Sequence, residues 1–446
     1  MTAARMFAEW AVGLRLEDVP VGVQHAAKRH LLDGFGTALA AARLGEVPYA
    51  ITVARDLRGA AEASIIGDGT RVSAPAAALA NGALVHALDF DDTHAGALVH
   101  ATAPVLASAF AVGQERSSSG AGVLAATVAG YETIIRLGAA VRHGFHARGF
   151  HATSVCGVFA AALIACKLMD LDVETTMNAL GIAGSQAAGS LEFLTTGSST
   201  KQLHPGFAAQ SGILAARLAA AGASGPDSIF EGDNGLFRAY ADAHVAADAL
   251  FGELGERWET TQITIKPYPA CQLSHASLDA LACLLPLDAS SIDQITFEVP
   301  AESIPIVCEP ADTKRRPRTP YEGKFSLPYS AASLVIDGSL GLSSFEPGAL
   351  HRADVLALAD RVAHTSAGFD GPPAQAPGLA ALTMKDGSTR TARVETSRGG
   401  PELPLSDDDL IAKFADNAGS GDLVKSILAL EELGTVSELL EKTASR

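Results

Sequence analysis

The chain has 446 residues, of which 48% are hydrophobic and 19% charged, and a formal net charge of −17. Its apolar content suffices for one large core or several and excludes a disordered or fibrous chain. So acidic a balance argues against a nucleic-acid partner, because phosphate binding needs a basic face.

From the N-terminus to about residue 265 the pattern is helical. "TAARMFAEWAVGL", "GVQHAAKRHLLDGFGTALAAARLG" and "GVLAATVAGYETIIRLGAAVRHG" repeat apolar residues at three- and four-residue spacing. The exception is "ASIIGDGTRVSA", where Asp68 and Gly69 signal a hairpin and Ser73 with Pro75 a helix start. After "KPYPACQLSH" the texture changes. "SIDQITFEVP" alternates as a half-buried strand, and "AALTMKDGSTRTARVET" reads as two strands around Asp386 and Gly387. Helical stretches are expected at 327–336 and 349–363. From the capping residue Ser406 the chain returns to helix, expected to pack back on the first domain. The expected fold class is mainly α, with a large all-helical domain (1–266 with 403–446) and a smaller α+β lid domain (267–402).

The longest apolar run, "SVCGVFAAALIACKLM", meets Lys167 before the roughly 18–20 residues that a membrane span requires. No basic-then-apolar leader opens the chain. A soluble, cytoplasmic protein without a membrane partner is expected. Cys156, Cys166, Cys271, Cys283 and Cys308 include no CxxC pair and read as reduced thiols, with Cys156 and Cys166 in the core.

Three carboxylates and two imidazoles crowd into "HALDFDDTH", residues 86–94. On a helix end, His86, Asp89 and Thr93 share one face by their spacing, while Asp91 and Asp92 point elsewhere and cap local backbone. A solvated acidic helix end is the alternative for an isolated motif, but this one follows the buried-looking "AAALANGALVHAL". Metal binding is a weaker reading, because EF-hand spacing is missing and His86 with His94 is no recognised ligand pair. A terpene-cyclase acid is weaker still in a chain with 6% aromatic residues.

Basic groups gather elsewhere. Six of the 13 histidines fall between 86 and 151. "RHGFHARGFHATS" carries Arg142, His143, His146, Arg148 and His151, and reads as a loop with an anion-binding edge. Lys201 and His204 precede an apparent helix start, where a carboxylate is favoured. Lys266 stands among prolines, with His275 nine residues on. Lys314, Arg315, Arg316, Arg318 and Lys324 suit a solvated loop as well as a substrate contact. No GxGxxG, Walker A, HExxH or GxSxG motif accompanies these groups. Cofactor-free proton transfer on a small carboxylate is expected, with no metal.

"HALDFDDTH", "HATSVCGVFAAAL", "NALGIAGSQAAGS", "TKQLHPGFAAQSGILAA", "KPYPACQLSHASLDA" and "FSLPYSAASLVIDG" stand in the order, and over most of the length, of the MmgE/PrpD family, which this chain resembles. The resemblance implies a helical domain plus an α+β lid, usually as a homodimer, with the active site between domains. It also implies catalytic roles for His100, Lys201, Asp89 and Tyr329, and substrate binding by Thr93, His151, Lys266 and His275. The family includes 2-methylcitrate dehydratase, cis-aconitate decarboxylase and iminodisuccinate epimerase. The dehydratases carry a DFNDT-type motif followed by GHPSDN, whereas "DFDDT" here leads to "HAGALVHATAP". The decarboxylases carry a second His five residues after the lid lysine, where this chain has Cys271. These departures direct the expectation to the epimerase branch, an α-proton removed and returned on a dicarboxylate such as iminodisuccinate. The alternative is a lyase of the same family.

Overall fold

The computed structural model describes residues 1–369, 371 and 375–444. Positions 370, 372–374 and 445–446 fall within the expected domain spans and lie outside the described residues. Two compact units emerge, Met1–Thr264 with Ser406–Arg446, and Ile265–Leu405.

The larger unit is helical apart from a two-stranded hairpin, Ala63–Ser64 with Arg71–Val72. Every residue of the helix Ala74–His86 is buried, as expected of a helix apolar on all sides. The helix Thr200–Ala220 packs on it and on Ala152–Leu168. Glycine makes that packing possible, because the backbones nearly touch. A Cβ on Gly206 would lie 2.2 Å from the Leu79 carbonyl oxygen, and one on Gly212 2.6 Å from that of Val158. The C-terminal helix Asp407–Ala418 opens with Ser406 and Asp409 capping each other's backbone and packs on Val21–Arg43.

The helix Gly120–Val141 is long and apolar enough to cross a membrane, yet 89% of its most apolar window is buried inside the protein. Its polar residues work within that interior. Glu132 accepts from the Thr260 backbone N–H (2.9 Å) and hydroxyl (2.8 Å), and Arg136 donates to the Arg257 carbonyl (2.7 Å). A core helix that anchors the segment 250–260 is the reading these bonds support.

The smaller unit is built on a four-stranded sheet in the order Val362–Ala367, Ile292–Pro300, Gly378–Met384, Thr389–Val394. The first pair is parallel and the others antiparallel. Along Gly378–Met384 burial alternates residue by residue, and Ala380 and Leu382 meet Phe297, Leu278 and Leu281 in the core. The helix expected at 349–363 is shorter, Ala353–Ala359, and Val362 opens the parallel edge strand. "VAHTSA" has the β-branched content of a strand, but the preceding Leu-Ala pattern masked its start.

Candidate active site

The helix carrying the acidic motif stops at His86, and the chain then turns sharply. Asp89 takes φ +52°, in the left-handed region that side chains seldom adopt. This corrects the expectation of one helical face for His86, Asp89 and Thr93. Residues 87–101 form a loop, held where Thr93 and Thr264 exchange backbone hydrogen bonds of 2.9 Å and His94 N–H donates to the Val99 carbonyl (2.8 Å).

The turn also sends Asp91 and Asp92 fully inward. Asp91 Oδ2 accepts from His86 Nδ1 at 2.8 Å and lies 3.5 Å from His100 Nδ1. Asp92 does cap backbone, taking the Thr102 N–H at 3.1 Å and also the Thr102 hydroxyl. That hydroxyl is 2.7 Å from the Tyr131 OH, and His30 Nδ1 is 3.5 Å from Asp92 Oδ2. His100 Nδ1 donates to the Asp92 carbonyl (3.0 Å), with Thr93 Oγ1 at 3.3 Å. The proton on Nδ1 leaves the His100 lone pair on Nε2.

The basic wall comes from two helix starts. His151 precedes Ala152–Leu168, and its N–H donates to the Gly189 carbonyl at 2.8 Å. Gly189 is required there: its φ is +116°, and a Cβ would lie 2.6 Å from Ser154 Cβ. Lys201 and His204 sit inside the helix Thr200–Ala220, not before it; the helix begins earlier than expected despite Pro205. Pro205 has no N–H to give, so the Lys201 carbonyl lacks its usual helical donor. The Lys201 ammonium pairs with Asp89 Oδ1 at 2.6 Å. His151 and His204 meet through their Nδ1 atoms at 3.0 Å. Ring centroids of His86 and His100 are 4.6 Å apart, those of His86 and His151 5.9 Å, and those of His146 and His151 6.0 Å. The expected loop thus contains a short helical turn, Gly144–Ala147. Arg142, His143 and Arg148 are exposed, whereas His146 and His151 face the cluster.

Burial keeps His30, His146, His151 and His204 neutral. Desolvation lowers His151 well below the ordinary histidine value, helped by His86, Lys201, His100 and His204. It lowers His146 and His204 to about 4 and His30 to about 3. The opposite happens to Asp92, which burial and then Asp33 and Asp91 push up to about 8 against the Thr102 hydrogen bonds. Neutral His30 donates from Nε2 to the Thr260 carbonyl at 3.1 Å, so its bare Nδ1 faces a protonated Asp92.

The larger unit therefore brings together five of the expected residues: Asp89, Thr93, His100, His151 and Lys201. Lys266, His275 and Tyr329 belong to the smaller unit. Lys266 is buried there. His275 and Tyr329 are fully buried, and both use polar atoms on backbone carbonyls, His275 Nε2 on Ala270 (2.9 Å) and the Tyr329 hydroxyl on Ser344 (2.7 Å). Through these bonds both residues tie helix starts to the core of the smaller unit. The basic segment is similarly engaged: Lys314 donates to the Ile306 and Phe325 carbonyls, Arg315 to that of Val362, and Arg318 pairs with Glu322.

Sequence reasoning missed the outer supports. Lys413 of the C-terminal helix reaches Asp33 Oδ1 at 2.5 Å and lies 3.7 Å over the Phe90 ring. His30 and Asp33, spaced three apart in an otherwise apolar helical stripe, were the available signal.

Residues 5–247 match the MmgE/PrpD N-terminal domain and residues 268–427 the MmgE/PrpD C-terminal domain. The chain belongs to the MmgE/PrpD family. It is 30% identical to the cis-aconitate decarboxylase-like protein oryM of Aspergillus oryzae, over 97% of this chain and 95% of that protein. It is 29% identical to a cis-aconitate decarboxylase of Aspergillus terreus (97% and 94% covered) and 30% identical to that of Mus musculus (96% and 89%).

Proposed function

We propose that the protein is a carboxy-lyase acting without a cofactor on a small unsaturated polycarboxylate of the cis-aconitate type. The observation that carries this reading is the buried cluster itself, where the Lys201–Asp89 pair stands with His100 and His151. The relatives' names favour a lyase over the epimerase expected from motif departures.

Decarboxylation of cis-aconitate follows from elementary electron movement. The bond from the methylene carbon to its carboxylate breaks and CO₂ leaves. The electron pair forms a new C=C bond, the old double bond shifts its pair to the far α-carbon, and that carbon takes a proton. Charge builds on the carboxylate next to the α-carbon. Lys201, in the first turn of its helix, supplies a cation and backbone N–H groups for that charge. His100, its ring fixed by Nδ1–H on the Asp92 carbonyl, takes a proton from water on the Nε2 lone pair and passes it to the α-carbon.

Cys271 stands where the decarboxylases carry histidine, so the test is a substrate panel. EDTA-treated protein is given cis-aconitate, 2-methylcitrate and iminodisuccinate stereoisomers, with CO₂ release and NMR as readouts. The expected result is CO₂ from cis-aconitate or a close analogue. Water loss from 2-methylcitrate alone, or stereoisomer exchange with an intact carbon skeleton, would replace this reading by dehydratase or epimerase chemistry.

A further inference from the structure

We propose that His86, His100 and His151 form a binding site for one divalent zinc-class cation. One ring nitrogen from each residue lies within 4.8 Å of the other two. The Nδ1 atoms are already engaged: His86 on Asp91, His100 on the Asp92 carbonyl, and His151 on His204. That assigns Nε2 of each ring to the metal. Nε2 of His86 is buried and has no hydrogen-bond partner among the described residues.

The spacing suits such an ion. With Zn–N bonds of about 2.0–2.1 Å, tetrahedral ligation places imidazole centroids about 5 Å apart and nitrogens about 3.3 Å apart. The observed centroid separations are 4.6, 5.9 and 6.1 Å, so modest ring rotations bring the nitrogens together. The second requirement is an outer partner that orients each ring. Asp91 supplies it for His86, in the carboxylate–imidazole–metal arrangement of zinc sites. Charge is also favourable: Asp89 and Asp91 lie beside His100, and Asp89 offsets the Lys201 ammonium. Three nitrogens and an open fourth position bind a metal that can still accept a carboxylate or water.

The inference is independent of which reaction the family member performs, because its readouts are binding and spectra. EDTA-treated protein is titrated with Zn²⁺ by calorimetry and with Co²⁺ by visible absorption. The expected result is one ion per chain and a tetrahedral cobalt spectrum without a thiolate charge-transfer band. His86→Gln should abolish that binding, and Asp91→Asn should weaken it by about 10- to 100-fold, while Cys283→Ser, removing the exposed thiol, should leave it unchanged. No binding at tens of micromolar metal, binding retained in His86→Gln, or a thiolate band in the cobalt spectrum would each overturn the site. Should His86→Gln fail to fold, the wild-type cobalt spectrum and stoichiometry decide alone.

Discussion

At the scale of single residues, the unusual feature is how many titratable groups are held in their neutral forms beside a few that are charged. Lys201 and Asp89 form the charged pair, only 16% and 11% exposed at their side chains. Lys201→Ala should therefore lower kcat by about 10²- to 10³-fold through lost charge stabilisation, with an unchanged far-UV spectrum; near-normal turnover would remove Lys201 from the chemistry. The neutral groups make stability depend on pH in two opposed ways. His30, His146 and His204 have folded values of about 3, 4 and 4. Below pH ~6.5 the unfolded chain binds their protons and the folded one does not, so stability falls as pH drops from about 6.5 to 4. Asp92 is raised to about 8. The folded state holds that proton where the unfolded carboxyl has lost it, so this contribution declines as pH rises from about 4 to 8. Below pH ~6.5 these three histidines, joined by His151, outweigh the one carboxyl, and between pH ~6.5 and 8 the Asp92 decline takes over. Melting temperature should thus peak near pH 6.5, and Asp92→Asn should flatten the alkaline side. A monotonic profile up to pH 8 would contradict the placement of Asp92.

At the scale of elements, the site depends on helices that approach more closely than side chains permit. Gly206→Ala would set a methyl 2.2 Å from the Leu79 oxygen, a backbone atom that cannot rotate away. The variant should lose about 1–3 kcal/mol by overpacking, and its activity should fall as Lys201 is shifted from Asp89; a melting temperature equal to wild type would show that the helices separate freely. The C-terminal helix is a second support. Lys413→Met would leave Asp33, buried within the larger unit, without its ammonium, at a cost of about 3–5 kcal/mol, measurable by urea unfolding. The hairpin at 63–72, the strand at 292–300, the turn at Asp386 and the Ser406 cap were legible because each rests on local signals, alternation or turn residues. The start of the helix at Thr200 was not, since Pro205 reads as a helix beginning when the sequence is taken alone. The inward turn of Asp91 and Asp92 was hidden for a related reason. It depends on the positive φ of Asp89 and on partners at Thr102 and Thr264, far along the chain.

For the whole molecule, the two units, Met1–Thr264 with Ser406–Arg446 and Ile265–Leu405, each have their own kind of core. One packs alanine- and glycine-rich helices, the other a sheet with β-branched strands. What composition could not supply was which histidines share a centre. His86, His100, His151 and His204 come from four separate segments, and only the fold collects them. The central claim is that this centre performs decarboxylation with the chain's own groups. Its most direct test is carbon NMR of EDTA-treated protein with cis-aconitate in D₂O, wild type beside Lys201→Ala. The account predicts CO₂ loss by the wild type, one deuteron on the newly saturated carbon of the product, and little turnover by the variant. Unchanged cis-aconitate with the wild type, or equal turnover by both proteins, would contradict it.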